Sequence, residues 1–191
     1  MNHSTTSRAF FEEKYKGNED PWEFASSPYE LGRYDAIIQA LSFRRYRRSF
    51  EPACSIGVLT EQLATICDRV DAIDISSTAV EQAVHRCRLL TNVSIKQGGL
   101  PADIPAGRFD LIVFSEVGYY FKKPQLRSLI DQLMSRLESE GIFLAAHWLG
   151  SSPDHILDGN EVHEIVSSTK GLVHDHAEHH PGFRLDRWIC Q

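Results

Sequence analysis

Residues 50–64 read FEPACSIGVLTEQLA. Phe50 leads into an acid, Glu51, and then into the small residues Ala53, Cys54, Ser55 and Gly57. A helix-period stretch follows. Strand, tight turn and helix in this order are how a Rossmann-type domain opens its nucleotide site. Only Gly57 stands where three glycines are usual. A pyrophosphate needs such glycines to approach the backbone, so the turn disfavours a dinucleotide.

Strand and helix patterns alternate beyond the turn. RVDAIDIS (69–76) reads as a strand ending in Asp74, 17 residues after Gly57. An acid at that place accepts hydrogen bonds from ribose hydroxyls. A helix is expected over Thr78–Leu90, a third strand in NVSIKQG (92–98), and a fourth in FDLIVFSEV (109–117). The fourth is a continuous apolar run of the kind buried on both faces. Helix Gln125–Leu137, strand GIFLAAHWL (141–149) and helix Glu161–Ser168 come next. LVHDHAEHHPGFRLDRWIC (172–190) reads as two strands joined at Pro181-Gly182. Upstream, apolar spacing predicts a helix over Tyr29–Arg45. Ser7–Ser27 reads as irregular, with Gly17, Pro21 and Pro28 as breakers. The basic run RRYRR (44–48) falls where that helix should end and suits its dipole. The expected fold is α/β: a Rossmann-like, doubly wound, mostly parallel seven-stranded sheet with a C-terminal antiparallel hairpin. A single domain over residues 1–191 is expected, with residues 1–34 as an N-terminal lid.

The 191 residues are 42% apolar, enough to bury one core, and carry a net charge of −6. That charge argues against a nucleic-acid partner. No apolar run approaches a membrane span, and charges interrupt the N-terminus too early for a signal peptide. A soluble cytoplasmic protein is expected, monomeric or homodimeric. The cysteines Cys54, Cys67, Cys87 and Cys190 lack metal or redox spacing and read as reduced thiols. In the histidine-rich tail, His174 and His176 would share one face of a strand, as chelation requires. Polar residues are equally ordinary on an edge strand, and no metal is expected.

In the order Glu51, Ala53, Ser55, Gly57, the opening turn resembles motif I of class I S-adenosylmethionine methyltransferases. This cofactor has no phosphate and tolerates small non-glycine residues better. With DPWEF and SPYELGRY before the first strand, FDLIVFSEVGYYF on the fourth and AAHWLG on the fifth, the chain resembles the nodulation protein S (NodS)-like group. The resemblance implies methylation of a small polar acceptor, such as the free amino group of a deacetylated chitooligosaccharide. Glu51, Ala53 and Gly57 would line the methionine end of S-adenosylmethionine, with Asp74 and Ile75 at the ribose. Gly99 and Leu100 would flank adenine, and Gly99 lacks the acid that the group often carries there. Ser115 would lie beside the sulfonium. Arg33 is a candidate for the methionine carboxylate.

An amine must be neutral to attack, so a base helps. Glu116 and His147, expected at adjacent strand ends facing the cleft, are the catalytic candidates. His163, Trp22, Tyr119, Tyr120 and Trp148 are candidates for the acceptor side, the aromatics through cation–π contact. The alternative is a degenerate, non-catalytic domain that binds the same cofactor.

Overall fold

The computed structural model describes residues 7–191, so the first six residues of the expected lid lie outside it. Two compact units divide the chain after Ile104. Together they carry a mixed, Rossmann-like sheet of seven strands.

In the first unit, strands β1 (Ser49–Pro52), β2 (Val70–Asp74) and β3 (Val93–Gln97) lie parallel in the order β3-β2-β1. Every residue of β1 and β2 is buried, the polar Ser49, Glu51, Asp71 and Asp74 among them. Helix α3 (Val58–Ile66) follows β1, and helix α4 (Ser77–Arg86) follows β2. Helix α2 (Pro28–Leu41) precedes the sheet and is shorter than its spacing suggested. Pro28 belongs to its first turn, where a missing N–H costs nothing.

Two expectations fail here. The segment Ser7–Ser27 is not wholly irregular: α1 occupies Arg8–Gly17, and Ser7 Oγ caps it by accepting the Phe10 N–H. The RRYRR run does not complement a helix dipole, because α2 ends at Leu41. Instead Arg45 Nε donates to Asp68 at 2.5 Å and Arg48 Nε to Asp71 at 2.6 Å.

In the second unit, β4 (Phe109–Ser115) and β5 (Leu137–Trp148) are parallel, with α5 (Lys123–Met134) between them in sequence. After α6 (Gly159–Ser167), the hairpin β6 (Leu172–His180) and β7 (Phe183–Cys190) adds antiparallel strands, giving the order β4-β5-β7-β6. The pairing of β6 with β7 slips between His174 and His176, whose partners are the consecutive residues Trp188 and Arg187. Consecutive strand residues face opposite sides, so the two histidines do not share a face. Their rings turn to different acids, His174 to Asp186 and His176 to Glu178. Among the described residues no group of three metal-ligating side chains forms, and no helix is long and apolar enough to cross a membrane.

Candidate active site

The turn between β1 and α3 places Ala53, Ser55 and Gly57 all in the left-handed region, at φ of 59°, 51° and 80°. The chain thus keeps the backbone of a three-glycine turn with one glycine. Gly57 differs from the other two in a second constraint. A Cβ there would lie 3.0 Å from both Cα and Cβ of Ala83 in α4, so α4 would have to give by a few tenths of an ångström on top of the backbone strain. Ala53 is exposed and bears only backbone strain. At Ser55 the side chain gives something in return: its hydroxyl bonds the Tyr15 hydroxyl of α1 at 2.5 Å.

Asp74 ends β2 as expected, and it also builds the turn. Its Oδ2 accepts the Ser55 N–H at 2.9 Å and its Oδ1 the Ser76 N–H at 2.9 Å. Burial still pushes its carboxyl up to about 6. Glu51 is buried at the end of β1, accepts the Thr60 hydroxyl at 2.6 Å, and is pushed up to about 8 by burial. Glu12 of α1, which the sequence reading passed over, accepts the hydroxyls of Ser76, Ser77 and Thr78 at the start of α4. Those hydroxyls hold its carboxyl down to about 2.

Arg33 is buried, pairs with Glu30 on its own helix, and lies over the Tyr34 ring at 5.4 Å. Trp22 stands between Phe24, stacked at 5.6 Å, and Tyr15, edge-on at 5.5 Å. After β3, the Gly99 N–H donates to Asp103 Oδ2 at 2.8 Å. An acid from four residues downstream thus meets the Gly99 backbone. Ile75 and Leu100 are half-buried nearby in the sequence.

The second unit gathers most of the other candidates at the ends of β4 and β5. Ser115 Oγ is buried without a hydrogen-bond partner. Glu116 has φ of 55°, and its carboxylate accepts the Tyr119 hydroxyl and the Trp148 N–H, each at 2.7 Å. Tyr119 stacks on His155 at 3.7 Å between centroids, with Tyr120 at 5.3 Å and Trp148 at 6.0 Å from the same imidazole. Burial lowers the His155 pKa. His155 lies in a loop without period, so sequence gave it no mark.

His147 does not face a cleft. It is fully buried, its Nε2 accepts the Gly118 N–H at 3.1 Å, and its Nδ1 meets His163 Nε2 at 3.2 Å. Both ring nitrogens are engaged, so it is not poised as a base. His163 is equally buried and bonds Asp186 Oδ2 at 2.6 Å, which removes it from direct contact with an acceptor.

The residues present fit S-adenosylmethionine. Glu51 is a buried carboxyl whose ionisation costs energy until a cation arrives, and the methionine ammonium is such a cation. The exposed Ala53 leaves the left-handed turn approachable.

A Rossmann-like sheet with a closing antiparallel hairpin and this turn defines an S-adenosylmethionine-dependent methyltransferase. The family model of nodulation protein S (NodS) matches residues 7–165, and the chain belongs to that family. It is 29% identical to nodulation protein S of Azorhizobium caulinodans over 81% of this chain and 76% of that protein. The crystal structure of N-methyltransferase NodS from Bradyrhizobium japonicum WM9, in complex with S-adenosyl-L-homocysteine, superposes with a TM-score of 0.85 at 25% identity, covering 98% of this chain and 99% of that one. A candidate methyltransferase of Pseudomonas syringae is 37% identical, with a TM-score of 0.74 over 84% of this chain and 98% of the other.

Proposed function

We propose that the chain moves the methyl group of S-adenosylmethionine to the free amino group of a sugar or short oligosaccharide. The carrying observation is the Glu116 carboxylate, held by Tyr119 and Trp148 in a setting of aromatic rings. An acid among aromatic faces suits an amine in its cationic and neutral forms alike. The relative of known structure is named an N-methyltransferase, which supports an amine acceptor.

S-adenosylmethionine, when bound, supplies an electrophilic methyl on a sulfonium, and this chain supplies orientation and a proton acceptor. Glu51, Ala53 and Gly57 hold its methionine end, Arg33 its carboxylate, and Ser115 the region of the sulfonium. Asp74 and Ile75 hold the ribose; Gly99, Leu100 and Asp103 hold adenine, with Asp103 as the acid. Trp22, Tyr119, Tyr120 and Trp148 orient the acceptor, and Glu116 takes the proton that the new N–C bond displaces. Residues 7–34 close over the cofactor as part of one functional domain.

The test is release of S-adenosylhomocysteine with a chitooligosaccharide bearing one free amine, against its fully acetylated form. Release with the free amine alone supports the reading. Tight S-adenosylhomocysteine binding with no release on any amine or hydroxyl acceptor would make the chain a binding domain instead.

A further inference from the structure

The buried histidines of the second unit form a chain with one direction. The Gly118 N–H donates to His147 Nε2, so that nitrogen carries no proton. A neutral His147 therefore carries its proton on Nδ1 and donates it to His163 Nε2. His163 in turn carries its proton on Nδ1 and donates to Asp186 Oδ2. Asp186 is fully buried, and it also accepts from Arg184 Nε at 2.6 Å and meets His174 Nε2 at 3.3 Å. The chain so begins at a buried carboxylate on β7 and ends at a backbone N–H between Glu116 and Tyr120.

We propose that His163 and Asp186 are positioning residues for methyl transfer. Through His147 they pin the Gly118 N–H, and with it the turn that carries Glu116, Tyr119 and Tyr120. A second contact seats the same turn on the same helix: a Cβ on Gly118 would meet Val162 Cγ1 at 2.4 Å, so α6 packs directly against its backbone. Helix α6 thus offers Val162 to the turn and His163 to His147.

The arrangement admits one protonation pattern. An added proton on His163 Nε2 would face the His147 Nδ1–H. His147 could yield only by moving its own proton to Nε2, where the Gly118 N–H already points. Protonating either ring breaks one of the two bonds. The charged groups facing His163 are Asp186, Arg184 and His179, and the Tyr119 and Phe114 rings lie against His147. Asp186 favours a charged His163, whereas Arg184 and His179 oppose it.

The catalytic role rests on the acceptor reading above, but the tautomers do not, and they are tested without an acceptor. Long-range ¹H–¹⁵N correlation spectra of the ¹⁵N-labelled wild-type chain at about pH 7.5 should show His147 and His163 both as Nδ1–H tautomers. An Nε2–H tautomer at His147 overturns the proposal. On acidification the Gly118 amide resonance should move in the same transition as both rings. A Gly118 amide that stays still through that transition also overturns it.

The kinetic arm uses His163→Phe, which keeps a ring beside Trp188 and removes the acceptor for His147 Nδ1. Turnover should fall at least tenfold with an unchanged S-adenosylhomocysteine dissociation constant. Adding His147→Gln, whose amide oxygen can accept the Gly118 N–H unaided, should recover most of the loss. Loss without recovery would mean that His163 serves packing alone.

Discussion

At Ala53 two energies oppose each other. A Cβ in the left-handed region costs about 1–2 kcal/mol, and Ala53 sits there at φ 59°. Glycine removes that strain but widens the unfolded ensemble, at about 0.4–1 kcal/mol. Ala53→Gly should therefore stabilise the chain by about 1 kcal/mol or less, read as a raised urea midpoint at constant m-value. It should leave S-adenosylhomocysteine binding equal or tighter. Gly57→Ala is the contrasting case, because it adds left-handed strain and crowds Ala83, and it should destabilise the chain by about 1 kcal/mol or more. In the proposed reading, Asp103 takes the other end of the cofactor. Losing a hydrogen bond to a charged group costs about 1.5–3 kcal/mol, so Asp103→Ala should weaken S-adenosylhomocysteine binding roughly ten- to a hundredfold by calorimetry. An unchanged constant would remove Asp103 from the adenine end.

Tyr15 and Glu12 of helix α1 make polar contacts with the rest of the first unit. Tyr15 bonds Ser55 in the turn, and Glu12 takes the hydroxyls that open α4. Tyr15→Phe and Ser55→Ala each remove the first contact, and in a double-mutant cycle they should couple by about 1 kcal/mol. Hydrogen exchange in α1 should rise in both single variants and no further in the double. Independent losses in the two would separate α1 from the turn. This element also marks the limit of sequence reading. The order of strands and helices from β1 to β7 was legible because apolar period and turn residues agree along most of them, although β5 begins at Leu137, inside the stretch that reads as helix. Helix α1 was not, because Gly17, Pro21 and Pro28 outweighed the Ser7 cap and the short apolar set Phe10, Phe11 and Tyr15. The place of Asp74 at the end of β2 was legible in the sequence, and Glu51 was marked by the motif resemblance. The Asp103 contact with Gly99 is local and depends on the turn after β3. Glu12 and Asp186 were not legible, since each acts on a partner that only tertiary folding brings near. The same reason misplaced His147: its position at a strand end was right, while its burial depended on α6.

For the whole molecule, pH sets stability through a few buried groups. Burial raises the Glu51 pKa from 4.5 unfolded to about 8 folded. Its contribution is fully present below 4.5 and is lost as pH rises through 8. His163 is shifted the other way, lowered from 6.5 by burial, so its contribution is present above 6.5 and lost as pH falls. Between pH 6.5 and 8 the Glu51 effect stands unopposed by His163. The melting temperature of the cofactor-free chain should fall across that window. Glu51→Gln should flatten the fall while weakening the cofactor; a fall that persists in the variant would place its cause elsewhere. A last consequence follows from the slipped register on β6, the outermost strand of the sheet. A regular strand there would offer an unbroken row of backbone donors and acceptors to a strand of another molecule. The extra residue, Asp175, interrupts that row and ties its carboxylate to Arg187 Nε at 2.7 Å. Removing Asp175 should restore a continuous ladder, and with it a chain that fibrillises on warming where the parent stays clear, as light scattering and thioflavin fluorescence would report. On that outcome, one irregular residue would be what keeps the protein from polymerising with itself.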